Sequence, residues 1–420
     1  MPAHNTKWFD SSFAGAPSLT GQAGSLISVL NACLVDGFNL LTLDSLVVAS
    51  NVATGTKNGH GYKQYQIIEI AGAAPSSLNG KWRVTSVTSN TFTFTTAGIS
   101  NQTATGTITA KTASAGWAAP FTGTNTAVYN SQSAQRSGNH GVRVTDTGTT
   151  TATCLAAEEW TDINTSVNNI QTFYVAKSST ADATARGWTI VADDRTIYIG
   201  TSKTGGMREL LTWGDFLSIV AADGHAFHVR APSAANASTL GYRTSLGHVM
   251  PVPTDCTGFS ARDYSQGVGP SANKLYSLVG AAHSMSLDAS TFVFSDGNQT
   301  KSFAFSGGSY GISPSGTTIS YSAYSVSAPS PADGGIHFVP VYLFENSPSA
   351  AARLRGTVRG LLHIIETRPL TSDVIVLPGL SGVNDGLAIG FRTLNEGYGY
   401  SAGTRIYPET HVAIELGDWD

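Results

Sequence analysis

Charged residues are scarce in this chain: Lys, Arg, Asp and Glu make up 12% of its 420 residues, about half of the ~25% found in ordinary soluble domains. Ser, Thr, Asn and 45 glycines take their place. The net charge of -4 provides no basic surface for nucleic acid. A surface of hydroxyls and amides loses little side-chain entropy when another molecule covers it. The composition therefore predicts surfaces that become buried in an assembly.

Cysteine is also scarce, with only Cys33, Cys154 and Cys256. The number is odd and no CxxC pair occurs, which argues against a disulfide framework and against a cysteine metal site. We predict buried free thiols, as in a protein made in a reducing cytosol.

Long hydrophobic runs are missing as well. The first residues, MPAHNTKWFDSSFAGAPS, have no basic head followed by an apolar run, so we predict no signal peptide. The longest apolar stretch, near 40–49, is shorter than the ~20 residues of a membrane span. We expect no membrane partner, and release by lysis or assembly instead of secretion.

One helix is predicted near the N-terminus. Leu26, Val29, Leu30, Cys33 and Leu34 follow the spacing of a single apolar stripe. We predict that Ser25 caps the start of this helix and that Gly37 ends it.

The residues before the helix carry Trp8, Phe9 and Phe13 among small and polar residues. Such a segment is too polar to form its own core, although each buried aromatic would contribute roughly 1.5–3 kcal/mol. We predict an extended arm that crosses to an adjacent subunit, with these aromatics as interface candidates. The alternative is an N-terminal strand that completes its own sheet.

The rest of the chain has the pattern of short antiparallel strands, because apolar runs alternate with Asp, Asn, Gly and Ser. We predict an all-β, multidomain β-sandwich or barrel protein with one short N-terminal helix. An arm and helix (1–40) precede a small inserted β-barrel or sandwich module (41–112). In that module we expect a hairpin between 46–49 and 52–56 and a turn at Asn79-Gly80. The main β-rich body is 113–230 with 276–420, and 231–275 is a surface connection.

Several stretches resemble a class of uncharacterised tailed-bacteriophage virion proteins encoded among tail genes. They are Gly24-Ser25-Leu26-Ile27 through Gly37-Phe38-Asn39; Gly59-His60-Gly61, Leu78-Asn79-Gly80 and Thr91-Phe92-Thr93-Phe94; Ser137 to Val144 and Ala156 to Asp162; and Leu354 to Ile365 with Gly417-Asp418-Trp419-Asp420. The resemblance covers most of the chain and is weakest in 231–275. It implies a structural role in the particle and transfers no catalytic residues.

Glycan hydrolysis would need two carboxylates about 5 to 9.5 Å apart across a cleft. The candidates are Glu158 and Glu159 with Asp162, and the pair Asp193 and Asp194. Adjacent carboxylates on a strand point to opposite faces, so Asp193 and Asp194 are not expected to line one site unless a bulge re-aims one of them. We predict that Asp193 and Asp194 form a turn or an ion pair with Arg195. The two glutamates are predicted to cap a turn or meet a neighbouring subunit.

Other reaction centres are not predicted. His225 and His228, near Asp223, would lie on opposite faces of a strand, so we expect no metal site. We interpret His60, between two glycines, as a turn residue. The sequence Gly307-x-Ser309-x-Gly311 matches a nucleophile elbow, but Pro314 and Gly316 would break the required helix. We expect no enzyme activity and no cofactor.

Three arginines, Arg353, Arg355 and Arg359, form the only basic cluster, and we predict that they lie at an interface or on a solvated strand face. Tyrosines in Gly- and Ser-rich loops suit either a protein interface or sugar stacking. They are Tyr242, Tyr264, Tyr310, Tyr321, Tyr324, Tyr398 and Tyr400.

The sequence therefore predicts a structural component of a tailed phage particle, in the tail or at a head–tail or fibre connection. Made in the host bacterial cytoplasm and located in the virion, it would act by self-assembly as a homo-oligomer and by docking other virion proteins. The first alternative is a peripheral receptor- or glycan-binding phage protein, for which a host surface glycan is a possible partner. The second is a glycan hydrolase.

Overall fold

A computed structural model describes the chain from residue 5 to 231, apart from 133–139, 203–208 and 221–222, and shorter stretches beyond. These later stretches are 259–262, 273–277, 292–295, 300–303, 326–327, 338–345, 353–364, 366–367, 372, 374–381, 383–393 and 410–419. The described strands form four antiparallel sheets and one parallel pair. Their one long helical segment spans twelve residues, as an α-helix (α1, Ser25–Leu30) that continues into a π-helical stretch (Asn31–Asp36). The all-β class with one N-terminal helix is confirmed.

An eight-stranded sheet is formed by the strands between residues 38 and 112, in the order β2-β9-β5-β6-β7-β4-β3-β8. Its strands are β2 (Phe38–Thr42), β3 (Ser45–Ala49), β4 (Val52–Thr56), β5 (Ile67–Ala71), β6 (Gly80–Val87), β7 (Thr91–Thr95), β8 (Gln102–Thr103) and β9 (Thr109–Thr112). The predicted hairpin is confirmed as the β3–β4 pair. The predicted turn at Asn79-Gly80 is wrong, because Gly80 begins β6 and the Asn79 side chain bonds both backbone groups of Ala73.

A five-stranded meander follows, in which each strand pairs with the next. Its strands are β10 (Ala118–Gly123), β11 (Thr126–Asn130), β12 (Gly141–Thr145), β13 (Thr151–Trp160) and β14 (Ser166–Ala176). Glu158 and Glu159, which we predicted to cap a turn or meet a neighbouring subunit, lie inside β13.

The largest sheet has thirteen strands in the described residues and begins with the N-terminal strand β1 (Lys7–Asp10). It continues with β15 (Trp188–Ala192), β16 (Thr196–Thr201), β17 (Glu209–Asp215), β18 (Leu217–Ser218), β19 (Phe227–Arg230), β20 (Phe259–Ala261) and β21 (Asn273–Ser277). It is completed by β25 (Phe338–Glu345), β26 (Arg353–Ile364), β28 (Val374–Pro378), β29 (Leu387–Thr393) and β30 (Thr410–Glu415). The small pairs are β22 (Phe292–Ser295) with β23 (Thr300–Phe303), and β24 (Val326–Ser327) with β27 (Glu366–Thr367).

Two strands of this sheet involve the predicted surface connection at 231–275. β20 lies within it and β21 begins in it; the two pair with each other, and β20 also pairs with β19. The connection is therefore not a loop throughout. Its other residues from 232 to 258 and from 263 to 272 lie outside the described part of the chain.

The prediction that the N-terminal arm crosses to a neighbour is contradicted. β1 pairs with β15 of its own chain, with Trp8 opposite Val191. Phe9 and Phe13 are buried in the core beneath α1, and the half-buried Trp8 packs edge-on against Phe13. The open alternative, a strand that completes its own sheet, is the observed one, because alternation along β1 sends Phe9 into this core.

The start of α1 also differs from its prediction. Gly24 occupies the cap position at φ 80°, and no side chain there caps the helix. Asp146 supplies the cap from 120 residues away, since its Oδ2 accepts from the backbone N–H of Leu26 at 2.8 Å. Ser25 instead donates to the carbonyl of Thr20. At the other end, the predicted stop is confirmed: Gly37 follows the helical segment at φ 75°.

The centre of the large sheet is buried on both faces. Ile190, Ile197 and Leu211 face a first core shared with α1 and the five-stranded sheet. Their neighbours Val191 and Tyr198 face a second core shared with strands β25 to β30. The antiparallel pair β15–β16 lies at this centre.

Candidate functional site: a ring of buried charges

Charged residues that the sequence presents as separate candidates meet inside the protein. Arg355 from β26 binds Asp223 with two hydrogen bonds, from Nε to Oδ2 at 2.8 Å and from Nη2 to Oδ1 at 3.0 Å. Both side chains are almost fully buried. The guanidinium also lies 5.4 Å from the ring centre of Phe216. This two-pronged geometry fixes both partners in orientation as well as in charge.

A second ion pair lies beside the first. Glu158 from β13 accepts from Nη1 of Arg262 at 2.5 Å, and its other oxygen lies 2.6 Å from Nδ1 of His225. Asn168 from β14 donates a further hydrogen bond to Glu158 at 3.0 Å. The side chain of His225 is 26% exposed, whereas those of Glu158 and Arg262 are 8% and 4% exposed.

Two backbone hydrogen bonds join these pairs into a closed circuit, which we call the charge ring (Glu158, Asp223, His225, Arg262 and Arg355). Nη1 of Arg355 donates to the carbonyl of Arg262 at 3.0 Å. The backbone N–H of His225 donates to Asp223 at 3.0 Å. The ring ties β13, β26, the residue after β20, and the segment between β18 and β19. Its two carboxylates balance its two guanidinium groups.

The electrostatics of the ring favour the charged form of Asp223. Burial alone would raise the pKa of this carboxyl, but the Arg355 guanidinium and the Ser218 hydroxyl outweigh burial. The pKa of Asp223 therefore lies below its ordinary value of 3.8. Removing one partner of such a pair leaves an uncompensated buried charge, which typically costs ~3–5 kcal/mol.

A separate buried ion pair holds the turn between β15 and β16. Asp193 accepts from Nη2 of Arg359 at 2.6 Å and from the backbone N–H groups of Arg195 and Thr196 at 2.9 and 2.7 Å. The predicted turn at Asp193 is confirmed. Its neighbour Asp194 lies 3.7 Å from the side chain of Arg195, as predicted. Burial and the adjacent Asp193 raise the pKa of Asp194.

Two of the three arginines of the cluster, Arg355 and Arg359, do not lie on the solvated face or at the interface that we predicted. Arg355 and Arg359 are each 3% exposed and pair with acids of their own chain. Both lie in a strand, β26, that is buried on both of its faces, because Val358 and Leu361 of the same strand are buried as well. Arg353 begins the same strand, and its side chain lies outside the described part of the structure.

Lys7 is a second unusual charge. It lies in β1, is 2% exposed, and its ammonium group donates to the carbonyl of Asn5. Burial and the nearby Lys81 lower the pKa of Lys7 to about 7, against a smaller opposite effect of Asp193 and Asp194. A lysine in this position is close to half neutral at pH 7.

His225 and His228 have separate partners and do not converge on one site. His225 contacts Glu158, whereas His228 is fully buried with Nε2 3.3 Å from the Thr212 hydroxyl. Burial lowers the pKa of His228 to about 3. Among the residues that the structure describes, no group of three or more His, Cys, Asp or Glu could hold a metal ion.

His60 joins the loop between β4 and β5 to the turn between β6 and β7. Its Nδ1 accepts from the backbone of Tyr62, and its Nε2 lies 3.0 Å from the carbonyl of Thr88 and 3.1 Å from that of Thr91. The ring also stacks on Tyr62.

The remaining candidates fall into two groups. Asp162, not the two glutamates, caps the turn after β13, because it accepts from the backbone N–H groups of Asn164 and Thr165. Cys33 and Cys154 are buried free thiols as predicted. The elbow sequence at 307–316, Cys256 and the seven loop tyrosines lie outside the described residues.

Sequence reasoning missed Arg262 and Lys177, which complete buried ion pairs with Glu158 and Asp146. Neither has a local signal, because each is a single basic residue whose partner lies far away in the chain.

Among the described helices, none combines the length and the apolar character of a membrane span.

No protein-family model matches this sequence, and no curated protein is similar to it. Among solved structures there is a weak similarity to a phage protein, the phage phi92 endosialidase, at 11% sequence identity and a TM-score of 0.16. The match covers 91% of this chain and 52% of that chain, so this chain spans about half the length of that structure. At such a TM-score the match does not define a common fold.

Proposed function

We propose that this chain is a structural component of a tailed bacteriophage particle, in the tail or at a head–tail or fibre connection. It acts by self-assembly and by docking other virion proteins, and it carries out no chemical reaction. The sequence resemblance to virion proteins suggests the particle. The structural role has a separate basis in where the charges lie.

The observation that supports this role most is the internal use of charge. Four buried ion pairs, Asp146–Lys177, Asp193–Arg359, Glu158–Arg262 and Asp223–Arg355, take eight of the chain's 52 Lys, Arg, Asp and Glu residues. The chain has few charged residues, and these buried pairs reduce the number that remains for its surface. Such a surface has little solvation to lose when a partner covers it.

The ion pairs also suit a part that must keep one shape in a particle. Each pair joins segments that are far apart in the sequence. Removing one partner of a buried ion pair strongly lowers the stability of the fold. Segments fixed to one another in this way, under a surface poor in charged residues, suit repeated contacts between identical copies.

The test is the position of the chain in a map of the purified particle determined by electron microscopy. We expect density that fits the described sheets, in repeated copies, within the tail or its connections. A particle whose map accounts for every protein without this chain would contradict the proposal. A glycan array with the purified protein tests the binding alternative, and specific recognition of a host surface sugar would replace the structural role by a receptor-binding one.

A further inference from the structure

Two lysine side chains meet where the eight-stranded sheet contacts the edge of the large sheet. Lys7 lies in β1, which stands first in the strand order of the large sheet, and Lys81 lies in β6. The side chain of Lys81 approaches the Lys7 amine closely enough to affect it both through its charge and through a hydrogen bond. Buried charges in proteins are normally paired with groups of opposite charge.

The contacts around the two lysines hold β1 and β6 in this position. The residues that follow β30 lie between the two strands, because Thr6 donates to the carbonyl of Gly417 and Arg83 donates to the carbonyl of Leu416. Lys81 is two residues from Arg83 in a regularly paired part of β6, so both side chains lie on the same face of that strand. The packing of the strands therefore brings the two amines together.

Among the residues that the structure describes, no carboxylate forms an ion pair with Lys7 or Lys81. Lys7 is 2% exposed, and its ammonium group donates to one oxygen, the carbonyl of Asn5. An ammonium group has three N–H donors, so this buried group keeps hydrogen-bonding capacity that the described chain does not use. Lys81 is exposed, and the pair can therefore be reached from solvent on the side of β6.

The carboxylates nearest to Lys7 are bound to other groups. Asp193 and Asp194 both act on the Lys7 amine through their charge. Asp193, however, accepts from Nη2 of Arg359 at 2.6 Å, and Asp194 lies 3.7 Å from the side chain of Arg195. Neither acid is therefore available as the counter-ion of Lys7.

The acids on the side of β6 are engaged in the same way. Asp385 accepts from Nη1 of Arg83 at 3.0 Å, and Asp418 accepts from the backbone N–H of Asn5 at 3.1 Å. The contact between β1 and β6 thus contains two amines and no group that offsets both of their charges.

Without such a group, the repulsion is relieved by loss of a proton. Burial and Lys81 lower the pKa of Lys7 to about 7. A water molecule could accept a hydrogen bond from each amine, but it would leave two positive charges side by side. An oxyanion would satisfy both requirements, because its oxygens accept from both amines and its charge opposes theirs.

We propose that Lys7 and Lys81 form a binding site for a small oxyanion of the sulfate or inorganic phosphate type. The occupant is a small free ion because Lys7 is buried, so that a group carried by a macromolecule would be too bulky to reach it. The bound ion would join β1 to β6, and so the large sheet to the eight-stranded sheet. This inference goes beyond the proposed function and does not depend on it.

The experiment is equilibrium dialysis of the full chain against radiolabelled sulfate, with the ionic strength fixed by sodium chloride. Sulfate is the probe because it keeps its double charge over the whole pH range used. The variants are Lys81→Met, Lys81→Arg and Lys7→Met. The control is Lys57→Met, which changes an exposed lysine that pairs with Asp44 in the same segment. Circular dichroism melting checks that each variant is folded as the wild type is.

We expect one sulfate per chain at pH 7, with a dissociation constant on the order of 1 mM or below. Lys81→Met and Lys7→Met should each weaken binding at least ~10-fold, because one of the two charges that hold the ion is lost. Lys81→Arg should bind within about 3-fold of the wild type, since a guanidinium also donates to oxyanions. Lys57→Met should bind as the wild type does.

The pH dependence of binding provides a second measurement. Above pH 7 the ion-free protein loses the proton of Lys7, and binding has to restore it. The affinity of the wild type for sulfate should therefore fall by about tenfold between pH 8 and pH 9. The residual binding of Lys7→Met should not fall in this way.

Three results would overturn the inference: no saturable binding of sulfate to the wild type, binding that Lys81→Met leaves unchanged, or an affinity that is the same at pH 7 and pH 9. The presence of the chain in a phage particle does not enter any of these measurements. Failure of the anion site would therefore leave the proposed function standing, and absence from the particle would leave the anion site standing.

Discussion

Asp146 and Lys177 meet at the N-terminus of α1, with Nζ of the lysine 2.5 Å from Oδ1 of the aspartate and both side chains fully buried. The second oxygen of Asp146 caps the helix, and Lys177 also donates to the carbonyls of Gln22 and Gly148. One ion pair thus joins the helix to β14 and to the loop between β12 and β13. Burial raises the pKa of Asp146 despite the opposing effects of Lys177 and of the helix amides.

We expect Lys177→Met to lower the free energy of unfolding by ~3–5 kcal/mol, because it leaves a buried carboxylate without its counter-charge. Thermal and denaturant unfolding followed by tryptophan fluorescence would measure the change. The control is Lys57→Met, which removes the exposed partner of Asp44 and should cost less than ~1 kcal/mol. Equal effects of the two substitutions would contradict the assignment of a structural role to the buried pair.

Lys7 makes stability depend on pH in the neutral to alkaline range. Its folded-state pKa is about 7 and its ordinary value is 10.5. Below pH 7 the lysine is charged in both states, so the full cost of burying the charge is present. As the pH rises from 7 toward 10.5, the folded state holds the neutral amine while the unfolded state still binds a proton, and this cost disappears.

We therefore expect Lys7→Met to raise the melting temperature at pH 7 by several degrees. In the wild type the melting temperature should increase between pH 7 and 10, and in Lys7→Met this increase should be smaller. Differential scanning calorimetry at a series of pH values measures both effects. Lys57→Met should leave the slope of the wild type unchanged. A Lys7→Met protein that is less stable than the wild type at pH 7 would show that the charged amine is needed in its place.

Arg355 should stabilise the protein only while Asp223 is ionised. The pKa of Asp223 is lowered in the folded state, so the pair's contribution is fully present above pH 3.8, the ordinary value, and is lost as pH falls through the lower folded-state pKa. We expect Arg355→Met to cost ~3–5 kcal/mol at pH 7. The difference in the free energy of unfolding between Arg355→Met and the wild type should become smaller below pH 4. Unfolding by urea at pH 7 and pH 3 tests this, and a difference that is the same at both would contradict it.

The segment 41–112 is predicted to fold by itself, and its deletion is predicted to leave the rest foldable. It has its own core around Trp82, Phe92 and Phe94. Its ends lie close together, since Leu41 pairs with Ala110. Expressed alone, it should melt cooperatively, and calorimetry checks this.

The segment 41–112 also contacts the large sheet, and these contacts should add to its stability in the full chain. Arg83 binds Asp385 and the carbonyl of Leu416, and Tyr65 packs on the second core. We therefore expect the isolated segment to melt at a lower temperature than in the full chain. A molten or insoluble product would show that its core needs the large sheet, and that the boundary is wrong.

The sequence predicted those parts of the fold that local patterns determine. The stripe of α1, the stop at Gly37, the β3–β4 hairpin and the turn at Asp193 all depend on neighbours within a few residues. The cap of α1 could not be predicted, because Asp146 reaches it from 120 residues away. The sequence also could not show whether Phe9 packs on its own chain or on another chain, because either arrangement buries the same apolar surface of its side chain.

The charge ring shows the same limit. Glu158, Asp223, His225 and Arg355 were all visible as candidates, but their pairing depends on which strands become neighbours in a thirteen-stranded sheet. Arg262 had no distinguishing pattern at all. Composition showed only that charged residues are few. The structure places several of them in the interior.

The most direct test of the account is the protein content of purified phage particles, measured by quantitative mass spectrometry after removal of unassembled protein. We predict this chain in more than one copy per particle, in a constant ratio to the other virion proteins. Particles that are complete and infectious without it, or a ratio that falls toward zero with further purification, would contradict the structural role.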